Sequence, residues 1–239
     1  MKKTLLLILL FVILGLPASK SLSYATSDPG KQTVVDDTTK DPKSKYNAKY
    51  EPSVGTHCSS VLLTSSAALT VKHCLGPSPS SFGTIYPGES GLQTPFGYMN
   101  IRTYIPHSTY DIAILKGTDN DKSSAYKYYL KNIKTEVKGL TDDELDKLKG
   151  KKIYSYGYPY QFSGYKQYLS TGTVEFYEKT PHNVLRTTMP ATGGQSGSGV
   201  FLQENDQLIG IIITATPNGQ ANVLPISQEI ANWINQNTN

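Results

Sequence analysis

The stretch Cys58-Ser59-Ser60-Val61-Leu62-Leu63-Thr64-Ser65-Ser66-Ala67-Ala68-Leu69-Thr70-Val71-Lys72-His73-Cys74 holds two apolar runs, 61–63 and 67–71, on either side of a Ser-Ser turn. Each run has the length of a short strand, not of a helix. The only two cysteines of the 239-residue chain close the stretch, and His73 immediately precedes the second. In an oxidising compartment the two can bridge. Across the fifteen enclosed residues such a bridge contributes about 3 kcal/mol in the chain-entropy model, and it would hold His73 at a fixed place on its turn. A structural disulfide beside an incidental histidine reads the same way, so the rest of the chain must decide.

Outward from this stretch the same texture continues. Short β-type runs at 112–115, 153–158, 173–177, 184–188, 199–202 and 208–214 are separated by Gly, Pro, Ser and Asn. Many short strands at this spacing predict an all-β sandwich or barrel. Tyr154, Tyr156 and Tyr158 alternate at period two, which predicts a strand face with half-buried tyrosines. Two helices break the pattern. Thr141-Asp142-Asp143-Glu144 is a capping box for a short surface helix. Residues 227–237 place Ile230, Trp233 and Ile234 at helical spacing, an apolar stripe able to dock on the body.

Two further motifs carry chemistry. In Tyr110-Asp111-Ile112-Ala113-Ile114-Leu115 an aspartate heads an apolar strand, so it is expected to be buried or nearly so and to need a partner. A solvent-facing turn aspartate is the alternative. In Thr192-Gly193-Gly194-Gln195-Ser196-Gly197-Ser198-Gly199 four glycines surround one serine, leaving backbone N–H groups free to turn inward around an exposed hydroxyl. Acyl transfer needs that arrangement to bind a developing oxyanion; a Gly/Ser-rich hairpin would look similar.

Composition narrows the field. Apolar residues at 38% allow a packed core. Two cysteines are too few for a disulfide-dense miniprotein or a four-thiolate zinc site. Lys2, Lys3, Lys20, Lys31 and Asp28 all precede Val34, so the formal charge of +4 falls to +1 beyond it. That is too little for a nucleic-acid surface. Lys2-Lys3, an uncharged apolar run from 4 to 16 that is shorter than a bilayer-crossing helix, and Ser23-Tyr24-Ala25 read as a signal peptide over residues 1–25. An uncleaved anchor is the alternative. The expected protein is secreted, without stable membrane association after cleavage. The polar residues 26–33 are a possible pro-segment, and the domain proper is expected over 34–239.

In chain order His73, Asp111 and Ser196, these motifs together resemble the chymotrypsin-like serine proteases. The segment 58–74 matches cysteine for cysteine with the histidine in place; 111–115 resembles the family's aspartate strand and 194–197 its nucleophile loop. The bacterial glutamyl endopeptidase branch, that of V8 protease and the exfoliative toxins, is the more similar. Its serine loop reads Gly-Asn-Ser-Gly-Ser where this chain has Gly-Gln-Ser-Gly-Ser, and Gly157-Tyr158-Pro159 is also similar. The resemblance spans about 34–237, loosely between 117 and 150.

It implies a trypsin-like fold of two six-stranded antiparallel β-barrels with a C-terminal helix. The implied catalytic residues are His73, Asp111 and Ser196, with Gly194 and Ser196 supplying the oxyanion hole. It implies polypeptide substrates, a disulfide between Cys58 and Cys74, no metal and no cofactor; a monomer is expected. His107, four residues before Asp111, is a competing base without a flanking cysteine. His57 and His182 are expected to be ordinary surface or strand-end residues.

The chain departs from the pattern in three places. Gln195 stands where trypsin and chymotrypsin carry an aspartate that pairs with a freed N-terminal ammonium, and a neutral amide cannot form that ion pair. Val34 or Val35 resembles the mature start of the glutamyl branch. In that branch a threonine and a histidine read the substrate carboxylate. Thr192 matches the threonine, but Ile212 occupies the histidine's place, and Pro190 replaces the pocket aspartate of trypsin. Primary specificity is therefore expected to be altered. Two other function classes remain: an inactive trypsin-fold binding protein, since fold does not guarantee catalysis, and an α/β-hydrolase esterase. The esterase would need a glycine at position 198 and a histidine after Ser196, and the chain has neither.

Overall fold

The computed structural model describes residues 29–75 and 81–238. The expected signal peptide, 1–25, and positions 26–28 lie outside the described residues. The first strand, β1 (Lys31–Val34), begins inside the stretch expected to be a pro-segment and runs one residue past it, and it belongs to the C-terminal half of the fold.

The N-terminal half is one antiparallel sheet. Its strands are β2 (Asn47–Glu51), β3 (Cys58–Thr64), β4 (Ala67–Thr70), β5 (Thr84–Pro87), β6 (Met99–Asn100), β7 (Thr103–Pro106) and β8 (Ala113–Lys116). They run in the order β6-β5-β2-β3-β4-β8-β7. Strands β3 and β4 are the two apolar runs around the Ser-Ser turn. From Cys58 to Leu63 every residue is buried, as expected of a central strand covered on both faces. Among the described residues no ladder joins β6 to β7, so this half is a curved seven-stranded sheet and not the closed six-stranded barrel expected.

The C-terminal half does close. Strands β9 (Lys152–Gly157), β10 (Tyr168–Glu178), β11 (Val184–Pro190), β12 (Gly199–Leu202), β13 (Leu208–Ala215) and β14 (Gln220–Pro225) run β10-β11-β14-β13-β12-β9, and β9 pairs back onto β10. That pairing makes a six-stranded barrel with β1 added along β10. One irregularity matters for the site. Val200 pairs with Gly210 but Phe201 pairs with Leu208, so Ile209 is the extra residue of a bulge. The bulge resets the alternation: Leu208 and Ile211 join the core shared with the N-terminal half, while Ile209 and Ile212 join the core of the barrel.

Tyr154, Tyr156 and Tyr158, expected to be half-buried, are buried outright. Tyr154 and Tyr156 belong to the shared core. A buried tyrosine hydroxyl needs a partner. The Tyr154 hydroxyl donates to Asp206 and that of Tyr156 to Asp41, while Tyr158 Oη accepts from Gln167 Nε2.

Three α-helices complete the described chain: α1 (Ser124–Leu130), α2 (Asp142–Asp146) and α3 (Gln228–Thr238). The capping box forms as predicted at α2: Glu144 N donates to Thr141 Oγ1 at 3.3 Å, and Thr141 N donates to Glu144 Oε2 at 2.9 Å. Helix α3 buries Ile230 and Ile234 and sets Trp233 edge-on against His107. Helix α1 has no counterpart in the sequence reading. Its N-cap is Ser123, and it buries Tyr126 and Leu130. No helix among the described residues is long and apolar enough to cross a membrane.

Candidate active site

Register brings the first two site residues together. Strands β4 and β8 pair antiparallel with Thr70 opposite Ala113. The chain leaving β4 therefore meets the chain entering β8, and His73 faces Asp111. His73 sits on a single 3₁₀ turn, Lys72–Cys74. Its backbone N–H donates to Asp111 Oδ1 at 3.0 Å, and its ring Nδ1 lies 2.7 Å from Oδ2. A carboxylate accepts only, so Nδ1 carries the hydrogen. Nε2 makes no hydrogen bond among the described residues. Burial alone would raise the Asp111 carboxyl, but the hydrogen bonds and charge of His73 outweigh it and hold the group below its ordinary value. Asp111 is less buried than its place ahead of an apolar strand suggested, with its side chain 34% exposed. It sits in the bend before β8, with its oxygens turned to His73.

The turn carrying His73 is tied down by the Cys58–Cys74 disulfide, with Cα atoms 6.2 Å apart. The next residue along β3, Ser59, clasps the loop that carries Ser196. Ser59 N donates to Ser196 O at 2.8 Å, Ser59 Oγ donates to Gly194 O at 2.8 Å, and Oγ accepts from Tyr158 N at 3.1 Å. A covalent path, His73-Cys74-Cys58-Ser59, thus leads from the histidine to the residue that is hydrogen-bonded to the loop bearing Ser196. No hydrogen bond joins His73 Nε2 to Ser196 Oγ in this structure; in unliganded sites such bonds are often long and tighten with substrate. Replacing both Cys58 and Cys74 by Ser is expected to cost about 3 kcal/mol in urea unfolding. Equal midpoints for the two proteins would show that the bridge contributes nothing.

The loop between β11 and β12 is shaped by its glycines. Gly194 has φ 94° and Gly197 φ 88°, left-handed values that side-chain-bearing residues rarely adopt. A Cβ on Gly194 would lie 2.3 Å from Tyr158 O, and one on Gly197 would lie 2.2 Å from Ser59 O. Among the described residues neither Gly194 N nor Ser196 N donates to a protein acceptor. Their direction follows from the planar trans peptide, whose N–H points opposite to the preceding carbonyl. Gly193 O accepts from Tyr160 N at 2.8 Å and Gln195 O from Ser198 N at 3.0 Å. Both carbonyls are thus turned into the protein, and the Gly194 and Ser196 amides face away from those contacts.

The expected specificity residues differ in surroundings. Ile212 is 2% exposed and packs in the barrel core, where the bulge in β13 directs it. Its backbone is bonded to the two residues that follow Ser196: Gly197 N donates to Ile212 O and Ile212 N to Ser198 O. Thr192 is half-buried, and its Oγ1 is a buried oxygen without a hydrogen-bond partner among the described residues. His107, the competing base, is buried and turned inward. Its Nδ1 accepts from the backbone amides of Thr109 and Tyr110 at 3.0 and 3.1 Å. His182 is an exposed partner of Glu178. His57 is more than a surface residue: its ring packs edge-on against Tyr160, its Nε2 lies 3.0 Å from Tyr158 O, and burial lowers its pKa. Tyr160 in turn lies against Gly193, with its hydroxyl donating to His57 O. Ser59, His57 and Tyr160 escaped the sequence reading because their roles are contacts across the two halves. For Ser59 the available signal was its place beside the disulfide.

A two-part β fold with a His–Asp pair tied to a glycine-bounded serine loop defines a peptidase-type architecture. The chain belongs to the trypsin-like peptidase domain family, whose model matches residues 58–211. No curated protein matches in sequence. Among solved structures it is similar to a Glu endopeptidase determined in complex with MPD, at 22% identity and a TM-score of 0.69 over 87% of this chain and 96% of that one. It is also similar to the protease Anisep from Arthrobacter nicotinovorans, at 16% identity and a TM-score of 0.64 over 86% and 98% of the two chains. A third is HL collagenase, at 18% identity and a TM-score of 0.63 over 82% and 94%. At these identities the likeness concerns the fold.

Proposed function

We propose that this chain is a secreted serine endopeptidase that cleaves polypeptides through an acyl-enzyme on Ser196. The observation that carries this reading is the two-point clasp of Asp111 on His73, which leaves Nε2 free on a turn tied to the nucleophile loop. Ser196 Oγ attacks the scissile carbonyl while its proton passes to His73 Nε2. The C–N bond then breaks as His73 returns that proton to the leaving amine. Water, activated by the same nitrogen, releases the acyl group. Asp111 holds the imidazole tautomer and stabilises the imidazolium. The N–H groups of Gly194 and Ser196 receive the oxyanion, each such donor contributing about 3 kcal/mol. The test is fluorophosphonate labelling of the purified protein, with peptide mapping of the label and an assay on a mixed peptide library. Labelling at Ser196 with cleavage supports the reading. With neither, a trypsin-fold binding protein takes its place.

The same reading extends to specificity. Ile212, buried in the barrel core, is aliphatic, and Thr192 Oγ1 has no hydrogen-bond partner among the described residues. Neither supplies positive charge, and a buried unpaired carboxylate is costly. We expect a preference for uncharged residues on the acyl side of the scissile bond. A buried hydrogen bond to a charged group contributes about 1.5–3 kcal/mol, so an absent imidazole weakens glutamate preference by about ten- to a hundredfold. Matched peptides carrying Glu, Gln, Leu or Phe at that position check this by kcat/KM. A clear lead for Glu would mean that another group reads the carboxylate.

A further inference from the structure

We infer that strand β1 is part of the working enzyme, with Gln32 as a positioning residue that holds the nucleophile loop through Gln195. The inference rests on the serine-peptidase reading of Ser196.

Gln195, immediately before Ser196, is fully buried, and its carboxamide anchors the loop. Its Oε1 accepts from Thr192 N at 2.9 Å, closing the turn at its start, and its Nε2 donates to Ser170 Oγ at 3.2 Å. The remaining contact comes from the other end of the chain. Gln32 Nε2 donates to Gln195 Oε1 at 3.0 Å and to Ser170 Oγ at 2.7 Å. Ser170 is also the residue directly opposite Gln32 in the β1–β10 ladder, so strand register itself delivers the amide to this place.

The approach is tightly built. A Cβ on Gly30 would lie 2.2 Å from Thr188 O and 2.7 Å from Thr171 O, so the chain ahead of Gln32 passes hard against β10 and β11. Beyond β1, Val35 N donates to Gln167 O at 2.9 Å, and the Val35 side chain enters the shared core. Gln195 is neutral, and a neutral amide meets it from the interior of a strand. No new chain terminus has to be cut to make this contact. A cut at Val34 or Val35 would instead remove it, so the mature protein should begin ahead of Gly30.

Two measurements test this on the secreted full-chain product. The first is N-terminal sequencing of active material, expected to give a start before Gly30. A fully active product starting at Val34 or Val35 would overturn the inference. The second is a mutant cycle. Gln32→Ala should lower kcat by about 10- to 100-fold, the scale of a slightly misplaced nucleophile, with KM changed by no more than about threefold. Thr33→Ala, on the exposed side of the same strand, should stay within about twofold of the parent. In a Gln195→Ala background the Gln32→Ala effect should nearly vanish, because the two act as one unit. A purely structural role would lower the melting temperature and leave kcat per labelled active site unchanged. That result, or an undiminished effect in the Gln195→Ala background, counts against positioning through Gln195. If the parent protein itself is neither labelled nor active, it is the peptidase reading that fails. Amide hydrogen exchange over 193–197, expected to rise in Gln32→Ala, then still reports on the latch.

Discussion

Ser196→Ala is expected to reduce kcat for peptide hydrolysis by about 10⁶-fold, the scale found when a triad nucleophile is deleted. Among the described residues the Ser196 hydroxyl makes no hydrogen bond that holds the fold. The loop is held by backbone and by neighbours, through Ser59 on Ser196 O and Gly194 O, Gln195 on Thr192 N, and Gly197 N on Ile212 O. Stability should therefore stay within about 0.5 kcal/mol of the parent. Activity that survives at more than about one per cent, once contaminating protease is removed by active-site labelling, would be incompatible with Ser196 as the nucleophile.

Asp111→Asn is expected to lower kcat by about 10⁴-fold, with little change in KM. The carboxylate accepts from both His73 N and His73 Nδ1. An amide offers one oxygen and one NH2 group, and turning the NH2 toward the ring makes Nδ1 the acceptor. The hydrogen then sits on Nε2, where the base must be free. Stability gives a second readout. The folded Asp111 carboxyl is held below its ordinary value, so its contribution is present above the unfolded value of about 3.9 and fades as pH falls through the lower folded one. The stability gap between parent and variant should accordingly shrink in acid. A gap that stays constant from neutral pH down to about pH 2 would mean that the His73–Asp111 contact is not ionic in the way described.

The parts of this protein legible in one dimension are those whose physics is local. The apolar runs around Ser65-Ser66 become β3 and β4 because a strand is specified by a few side chains and a turn. The capping box at Thr141 works within four residues. His73 beside Cys74, Asp111 ahead of its strand and the glycines around Ser196 are short motifs, and together they sufficed to point to the trypsin-like family. Helix α1 was missed. Its apolar positions, Tyr126 and Leu130, are few, and Tyr128 and Tyr129 on the same seven residues are exposed; burial by the neighbouring sheet decides that segment.

The remainder depends on contacts that no window of sequence contains. Closure of the C-terminal barrel rests on β9 pairing with β10, while the N-terminal sheet stays open because its edge strands β6 and β7 find no such partner among the described residues. Which way Ile212 points was settled by the bulge at Ile209: side chains alternate along a strand, so one extra residue turns every later one to the opposite face. Ser59 clasps residues 194 and 196 from the other half of the fold, and Gln32 reaches Gln195 across 163 positions. Sequence alone set the chemistry available, a histidine, an aspartate, a serine and flanking glycines. The alignment of that chemistry came from strand register and from long-range hydrogen bonds, which exist only once the two halves have packed.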